Sequence, residues 1–142
     1  MIKITEIFKA DTAVKQPLPL YLSRIKAGFP SPAEDYLDKK LDLNEHLIKH
    51  PASTFCVKVK GDSMVGAGIN TGDILIVDRS IEPKDKRIVV AVVNGEFTVK
   101  RISKNGDRLS LMAENLKYFP IEIKDGMDFE VWGVVIHVIH SV

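Results

Sequence analysis

From Phe55 onward the chain alternates, with Phe55, Val57 and Val59 set against Cys56, Lys58 and Lys60, the period-two pattern of a strand that buries one face. Similar runs predict strands at Asp73–Asp78, Ile88–Val93, Glu96–Ile102, Arg108–Met112 and Phe129–Ile139. Asn94-Gly95 and Asn105-Gly106 are the strongest hairpin signals, because both central residues of a type I′ turn need positive φ. The earlier part of the chain reads differently. Ser31-Pro32-Ala33-Glu34 combines a serine N-cap, proline at the first helical position and glutamate three residues after the cap. A second start follows at Asp42-Leu-Asn-Glu45, and Pro51 closes it, so two short helices are expected between Pro32 and Lys49. Gln16-Pro-Leu-Pro-Leu favours extended backbone. The expected fold is mainly β, built of antiparallel sheets and hairpins, with short N-terminal helices and an extended arm.

Length and charge narrow the function. A chain of 142 residues suits one domain with a short appendage. Twenty basic against nineteen acidic residues leave a net charge of +1, so no whole-protein field draws the chain onto DNA, and strong direct nucleic-acid binding is not expected. The charge is uneven. Residues 1–27 hold Lys3, Lys9, Lys15, Arg24 and Lys26 against Glu6 and Asp11, which marks a basic N-terminal arm. The longest apolar run, Val131 to Ile139, is far short of the about 20 residues that span a bilayer, and the N-terminus lacks the apolar core of a secretion signal. A cytoplasmic protein without a membrane partner is expected. The single Cys56 rules out an internal disulfide, and no C-x-x-C motif is present.

Two positions are candidates for chemistry. Lys60-Gly61-Asp62-Ser63-Met64 is a small-residue turn leaving a strand, with Ser63 expected at its exposed apex; in isolation these are ordinary turn residues. If Asn94-Gly95 is a two-residue turn, Val93 pairs with Glu96, and counting outward sets Lys100 opposite Val89 in an apolar ribbon. Burial there would favour a neutral amine, able to take a proton from a serine hydroxyl. The alternative is that Lys100 runs its stem along the sheet and keeps its ammonium wet. Hairpin arithmetic alone leaves both open. Lys58, Lys84, Lys86, Lys104 and Lys117 read as surface charges. His137 and His140 lie three apart on a strand with no acidic or cysteine cluster beside them, so no metal is expected. Cys56 reads as packing, and Trp132 and Phe129 as core or subunit contact.

Gly61-Asp-Ser-Met64, Gly68-Ile-Asn-Thr-Gly72-Asp-Ile-Leu-Ile-Val-Asp78, Gly95-Glu-Phe-Thr-Val-Lys100-Arg101 and Leu111-Met-Ala-Glu-Asn115 occur in that order, and the series resembles the LexA/UmuD family of self-cleaving Ser-Lys peptidases. Gly28-Phe-Pro-Ser-Pro-Ala33, Asp42-Leu-Asn44 and Phe129-Glu-Val-Trp-Gly-Val-Val-Ile-His137 are similar to its UmuD branch. The resemblance implies Ser63 as nucleophile, Lys100 as general base, the backbone N–H groups of Asp62 and Ser63 as oxyanion donors, and a scissile bond at Ala27-Gly28. Two small residues there would also let a backbone enter a narrow cleft. Residues 1–27 would then be an arm removed by self-cleavage, and residues 28–142 the β-rich peptidase and interaction domain. The resemblance further implies an SOS mutagenesis protein: a homodimer whose cleavage is stimulated by RecA filaments on single-stranded DNA. Once processed, it would serve a UmuC-type subunit of an error-prone translesion polymerase, with no cofactor.

Other readings predict different features. A LexA-type repressor needs a helix-turn-helix domain ahead of the cleavage site, where only 27 residues stand here. A signal peptidase would carry a membrane anchor. An interaction module that keeps the fold without activity would not need both Ser63 and Lys100.

Overall fold

The structure is a computed structural model and describes residues 2–9, 17–21 and 37–142. These divide into two compact units, one built from the N-terminal residues together with the chain from His50 onward, the other from the residues between.

In the smaller unit a strand at Pro17–Tyr21 (β2) runs antiparallel to one at Leu37–Asp42 (β3). The proline-spaced segment is therefore extended, as its composition demands. Helix α1 (Leu43–Leu47) starts where the Asp42 motif predicts, and the Asp42 carboxylate accepts the Asn44 N–H at 3.1 Å as a true N-cap. The other expected helix start, Ser31-Pro32-Ala33-Glu34, lies outside the described residues, and residues 37–42, between the two expected starts, are strand.

The larger unit is one antiparallel sheet. Its strands are β1 (Lys3–Phe8), β4 (Thr54–Lys60), β5 (Ile74–Asp78), β6 (Ile88–Val93), β7 (Glu96–Asn105), β8 (Arg108–Met112), β9 (Ile121–Ile123) and β10 (Phe129–Ile139), in the order β1-β4-β5-β10-β6-β7-β8-β9. The mainly β expectation holds, and β6, β8 and β10 occupy their expected spans. β10 joins the halves, pairing with β6 through its first part and with β5 through its last. Its register shifts twice, and at Gly133 a Cβ would come within 2.7 Å of Val77 Cγ1, so the bend requires glycine.

The β6–β7 register is the one that Asn94-Gly95 predicts, from Val93↔Glu96 to Val89↔Lys100, with φ of 49° at Asn94 and 82° at Gly95. The second hairpin is displaced. Asn105 pairs with Arg108, so the turn residues are Gly106-Asp107 and not Asn105-Gly106. Gly106 has φ 60° while Asp107 stays at negative φ, the arrangement of a type II′ turn with glycine first. In this register Ile102 meets Leu111, both buried, and core packing outweighs the local turn preference.

The apolar residues form two clusters. Ile2, Phe55, Val57, Val59, Met64, Ile69, Leu75, Val77, Val90 and Val99 make the larger, and Val89, Ala91, Ile102, Leu111 and Val134 the smaller. Trp132 meets Phe97 edge-on at 4.6 Å between centroids and Phe55 at 6.0 Å, so it packs the first cluster, and Phe129 packs against the second. Cys56 is buried, and desolvation pushes its thiol pKa up, the opposite of an activated nucleophile. Among the described residues no group of three or more potential ligands is arranged to hold a metal, and no helix is long and apolar enough to cross a membrane.

Candidate active site

Leaving β4, the chain turns at Gly61 (φ 122°) and Asp62, reaches Ser63 and Met64, and enters a short 3-10 turn at Val65–Ala67. Met64 is fully buried and anchors the turn in the larger core. Ser63 is fully buried too, which corrects the expectation of an exposed apex. It is covered from outside by residues the local sequence does not contain.

Lys100 arrives from the middle of β7 opposite Val89, at 2% exposure. Its Nζ lies 3.2 Å from Ser63 Oγ, 2.9 Å from Thr98 Oγ1 and 3.2 Å from the Val99 carbonyl oxygen. Burial lowers its pKa from the ordinary lysine value to about 8. The wet-ammonium alternative is thereby excluded. An ammonium donates to all three oxygens. A neutral amine can keep its two N–H bonds to Val99 and Thr98 and turn its lone pair toward the Ser63 hydroxyl. With a pKa of about 8, about a tenth of the amine is neutral at pH 7.

The segment after β8 brackets the serine turn. Glu114 N–H donates to the Ser63 carbonyl at 2.8 Å, and Gly66 N–H donates to the Glu114 carbonyl at 2.8 Å. Asn115 Nδ2 donates to the Asp62 carbonyl at 2.9 Å, and the Tyr118 hydroxyl donates to the Asp62 carboxylate. That hydrogen bond holds the Asp62 carboxyl below its usual pKa and raises the Tyr118 phenol. Arg101, next to Lys100, bonds the Glu114 carboxylate through Nε. A closed ring results: Lys100 to Arg101 through the chain, Arg101 to Glu114, Glu114 to Ser63, and Ser63 back to Lys100. Both peptide carbonyls of Asp62 and Ser63 are held by donors from this segment, which sets the orientation of the neighbouring N–H groups.

The structure thus brings Asp62, Ser63 and Lys100 together, while Ala27 and Gly28 lie outside the described residues. Thr98, Arg101, Glu114, Asn115 and Tyr118 were assigned no role from the sequence. Thr98 was legible in principle, two residues before Lys100 on the same strand face. Arg101, Glu114 and Asn115 stand in the family-like segments, but their contacts, like that of Tyr118, act across more than ten residues of chain, where no local pattern gives a partner. His137 and His140 form no common site: the His140 Nδ1 stands 2.6 Å from the buried Asp73 carboxylate.

A family model described as Peptidase S24-like matches residues 19–136. Protein MucA of Escherichia coli is 43% identical over 135 residues, covering 93% of this chain and 91% of its own. Protein SamA of Salmonella typhimurium is 42% identical over 131 residues, 90% of this chain and 89% of its own. The LexA repressor of Shewanella denitrificans is 39% identical over 113 residues, which is 80% of this chain but 54% of the repressor.

Proposed function

The chain belongs to the Peptidase S24-like family, and from that premise we propose that it is a self-cleaving serine endopeptidase in which Ser63 and Lys100 form the catalytic dyad. One observation carries the reading: a lysine amine at 2% exposure, 3.2 Å from the hydroxyl of an equally buried serine, with its pKa lowered to about 8 by burial. Sustaining an amine in that state costs stability, and a purely structural position would be filled at less cost by an apolar side chain.

The steps below rest on the family resemblance, and the Ser63–Lys100 hydrogen bond supports the first of them. Neutral Lys100 takes the Ser63 proton as Oγ attacks the carbonyl carbon of Ala27. The oxyanion is held by the N–H groups of Asp62 and Ser63, a stabilisation of about 3–4 kcal/mol per donor in a comparable site. The Ala27-Gly28 bond breaks as the Lys100 ammonium returns the proton to the departing Gly28 amine. Lys100 then takes a proton from the water that attacks the Ala27 ester and passes it to Ser63 Oγ as that bond breaks, which restores the hydroxyl and the neutral amine. The products are residues 1–27 and 28–142. No metal or cofactor takes part.

On this reading the processed protein is a cytoplasmic homodimer of the SOS response, an accessory subunit of a translesion polymerase with a UmuC-type partner, and RecA filaments on single-stranded DNA stimulate its cleavage. Support comes from the similarity to the MucA and SamA proteins over nearly their whole length.

The test is intact mass over time for purified protein at rising pH. Loss of residues 1–27 as one piece is expected, with no loss in Ser63→Ala or Lys100→Ala. A wild-type chain that stays whole at pH 10, or that is cut equally in the two variants, refutes the dyad.

A further inference from the structure

The oxygen of Ser63 has a second partner. The backbone N–H of Ile2 donates to Ser63 Oγ at 3.1 Å, and Ile2 is itself 1% exposed, packed in the larger core with Met64, Ile69 and Val99. The residues that follow form β1, which adds to the open edge of β4 in the antiparallel register Lys3↔Lys60, Ile4↔Val59, Glu6↔Lys58. A scissile carbonyl must come within about 3–3.5 Å of the attacking oxygen. The Ile2 backbone occupies that space.

We propose that residues Ile2–Phe8 fill the substrate cleft of the peptidase as a built-in competitor. The cleft runs along the β4 edge, and a substrate backbone must take the place of β1 to reach Ser63. This rests on the Ser63–Lys100 reading above and adds what that reading lacks, the reason why a complete dyad does not act at once on whatever backbone is near.

The strand is built to be displaced. It lies at the edge of the sheet, paired there with β4 alone, and its register slips between Ile4 and Glu6. Lys3 stands directly opposite Lys60, a like-charge pair that weakens the ladder. Ile7 and Phe8 are 47% and 39% exposed, which leaves Ile2 and Ile4 as the side chains that bind it to the core. Antiparallel addition to β4 needs only backbone N–H and C=O groups from the entering chain, so any extended segment with a small residue beside Ser63 meets the requirement. Cleavage at Ala27-Gly28 would remove the competitor together with the arm.

The test uses Ile2→Asp, which sets a carboxylate in an apolar site and releases the tip, and a chain lacking residues 2–9. Two rates are read at one pH: labelling of Ser63 by a fluorescent phosphonate, and loss of the arm by intact mass. If the tip is docked about nine-tenths of the time, both rates rise about tenfold on release. Both rates are compared on the plateau above the midpoint, because uncovering the dyad hydrates Lys100 and raises its pKa toward the solvated value. Rates equal to wild type overturn the proposal while leaving the peptidase reading intact. Faster labelling without arm loss supports the occupied cleft and refutes cleavage of the arm. No labelling in any chain overturns both. A further measurement leaves β1 unaltered: a peptide of residues 22–33 added to the Ser63→Ala chain should speed amide exchange in β1, and unchanged exchange at saturating peptide refutes competition for one cleft.

Discussion

Val89 stands directly opposite Lys100 across the β6–β7 ribbon, and this pairing carries a lysine amine into an apolar wall. Lys100 cannot leave without breaking the register of the hairpin, and Val89, fully buried, offers it no charge. The low pKa of the amine is thus a consequence of sheet geometry.

Self-cleavage should therefore rise with pH through a midpoint near 8 and level off above it, following the neutral fraction of Lys100. Initial rates from intact mass between pH 6 and 10 check this. A midpoint near 10 would mean that the amine is solvated when it acts.

The same shift links Lys100 to stability. Its pKa is lower in the folded than in the unfolded chain, so between about 8 and 10.5 the unfolded chain binds more protons and folding stability gains as pH rises. Below 8 the cost of the buried ammonium is complete, about 3 kcal/mol for a shift of this size. Lys100→Met should accordingly be more stable than wild type at pH 7, with the advantage shrinking toward pH 10. Urea unfolding of both chains at the two pH values measures it; an advantage that does not change with pH counts against the linkage.

Asn115→Ala removes the side-chain donor to the Asp62 carbonyl and should loosen the Asp62–Ser63 peptide, whose N–H is the proposed oxyanion donor. A loss of about 1–2 kcal/mol in stability is expected. Self-cleavage should fall about tenfold or more, measured above pH 9 where the amine is already neutral. The pH midpoint should stay in place, since nothing in contact with Lys100 changes. An altered midpoint would show that the effect travels through the base.

Gly66→Ala tests the same brace sterically. A Cβ there would stand 2.6 Å from the Glu114 carbonyl oxygen, a backbone atom that cannot swing aside. The serine turn and the Glu114 segment must separate, at a cost of about 1–3 kcal/mol and with slower cleavage. Thermal unfolding and the cleavage rate of the purified variant read both effects, and a variant as active as wild type removes the brace from the mechanism.

Asp78 anchors the far end of β5. Burial alone would raise its pKa, but hydrogen bonds from Ser80, His50 and Ser53 outweigh burial and hold it at about 2. A depressed carboxyl pKa stabilises the fold above the unfolded value near 4, and this contribution fades as pH falls toward 2. Asp78→Asn should lose about 2 kcal/mol at pH 7 and change less than wild type between pH 4 and 2, by urea unfolding.

Much of the fold was written in local patterns. Residue patterns marked six strands of the large sheet, Asn94-Gly95 set the register that puts Lys100 opposite Val89, and Asp42 announced α1. These succeed because a turn type or a period of two depends on residues within a few positions of one another. The local signal failed where a distant surface offered more: the turn moved to Gly106-Asp107 to let Ile102 meet Leu111.

The sequence by itself determined which residues could do chemistry and on which elements they ride, because residue type and periodicity are properties of the chain. Only the tertiary structure decided that Ser63 and Lys100, 37 positions apart, come within 3.2 Å, that Asn115 and Glu114 hold the serine turn, and that Ile2 closes over the hydroxyl. Those contacts depend on the order of strands in the sheet, where β10 separates β5 from β6 and the first strand returns to the edge of β4. Strand order is set by which apolar faces bury together across the whole molecule, and no short stretch of residues carries that information.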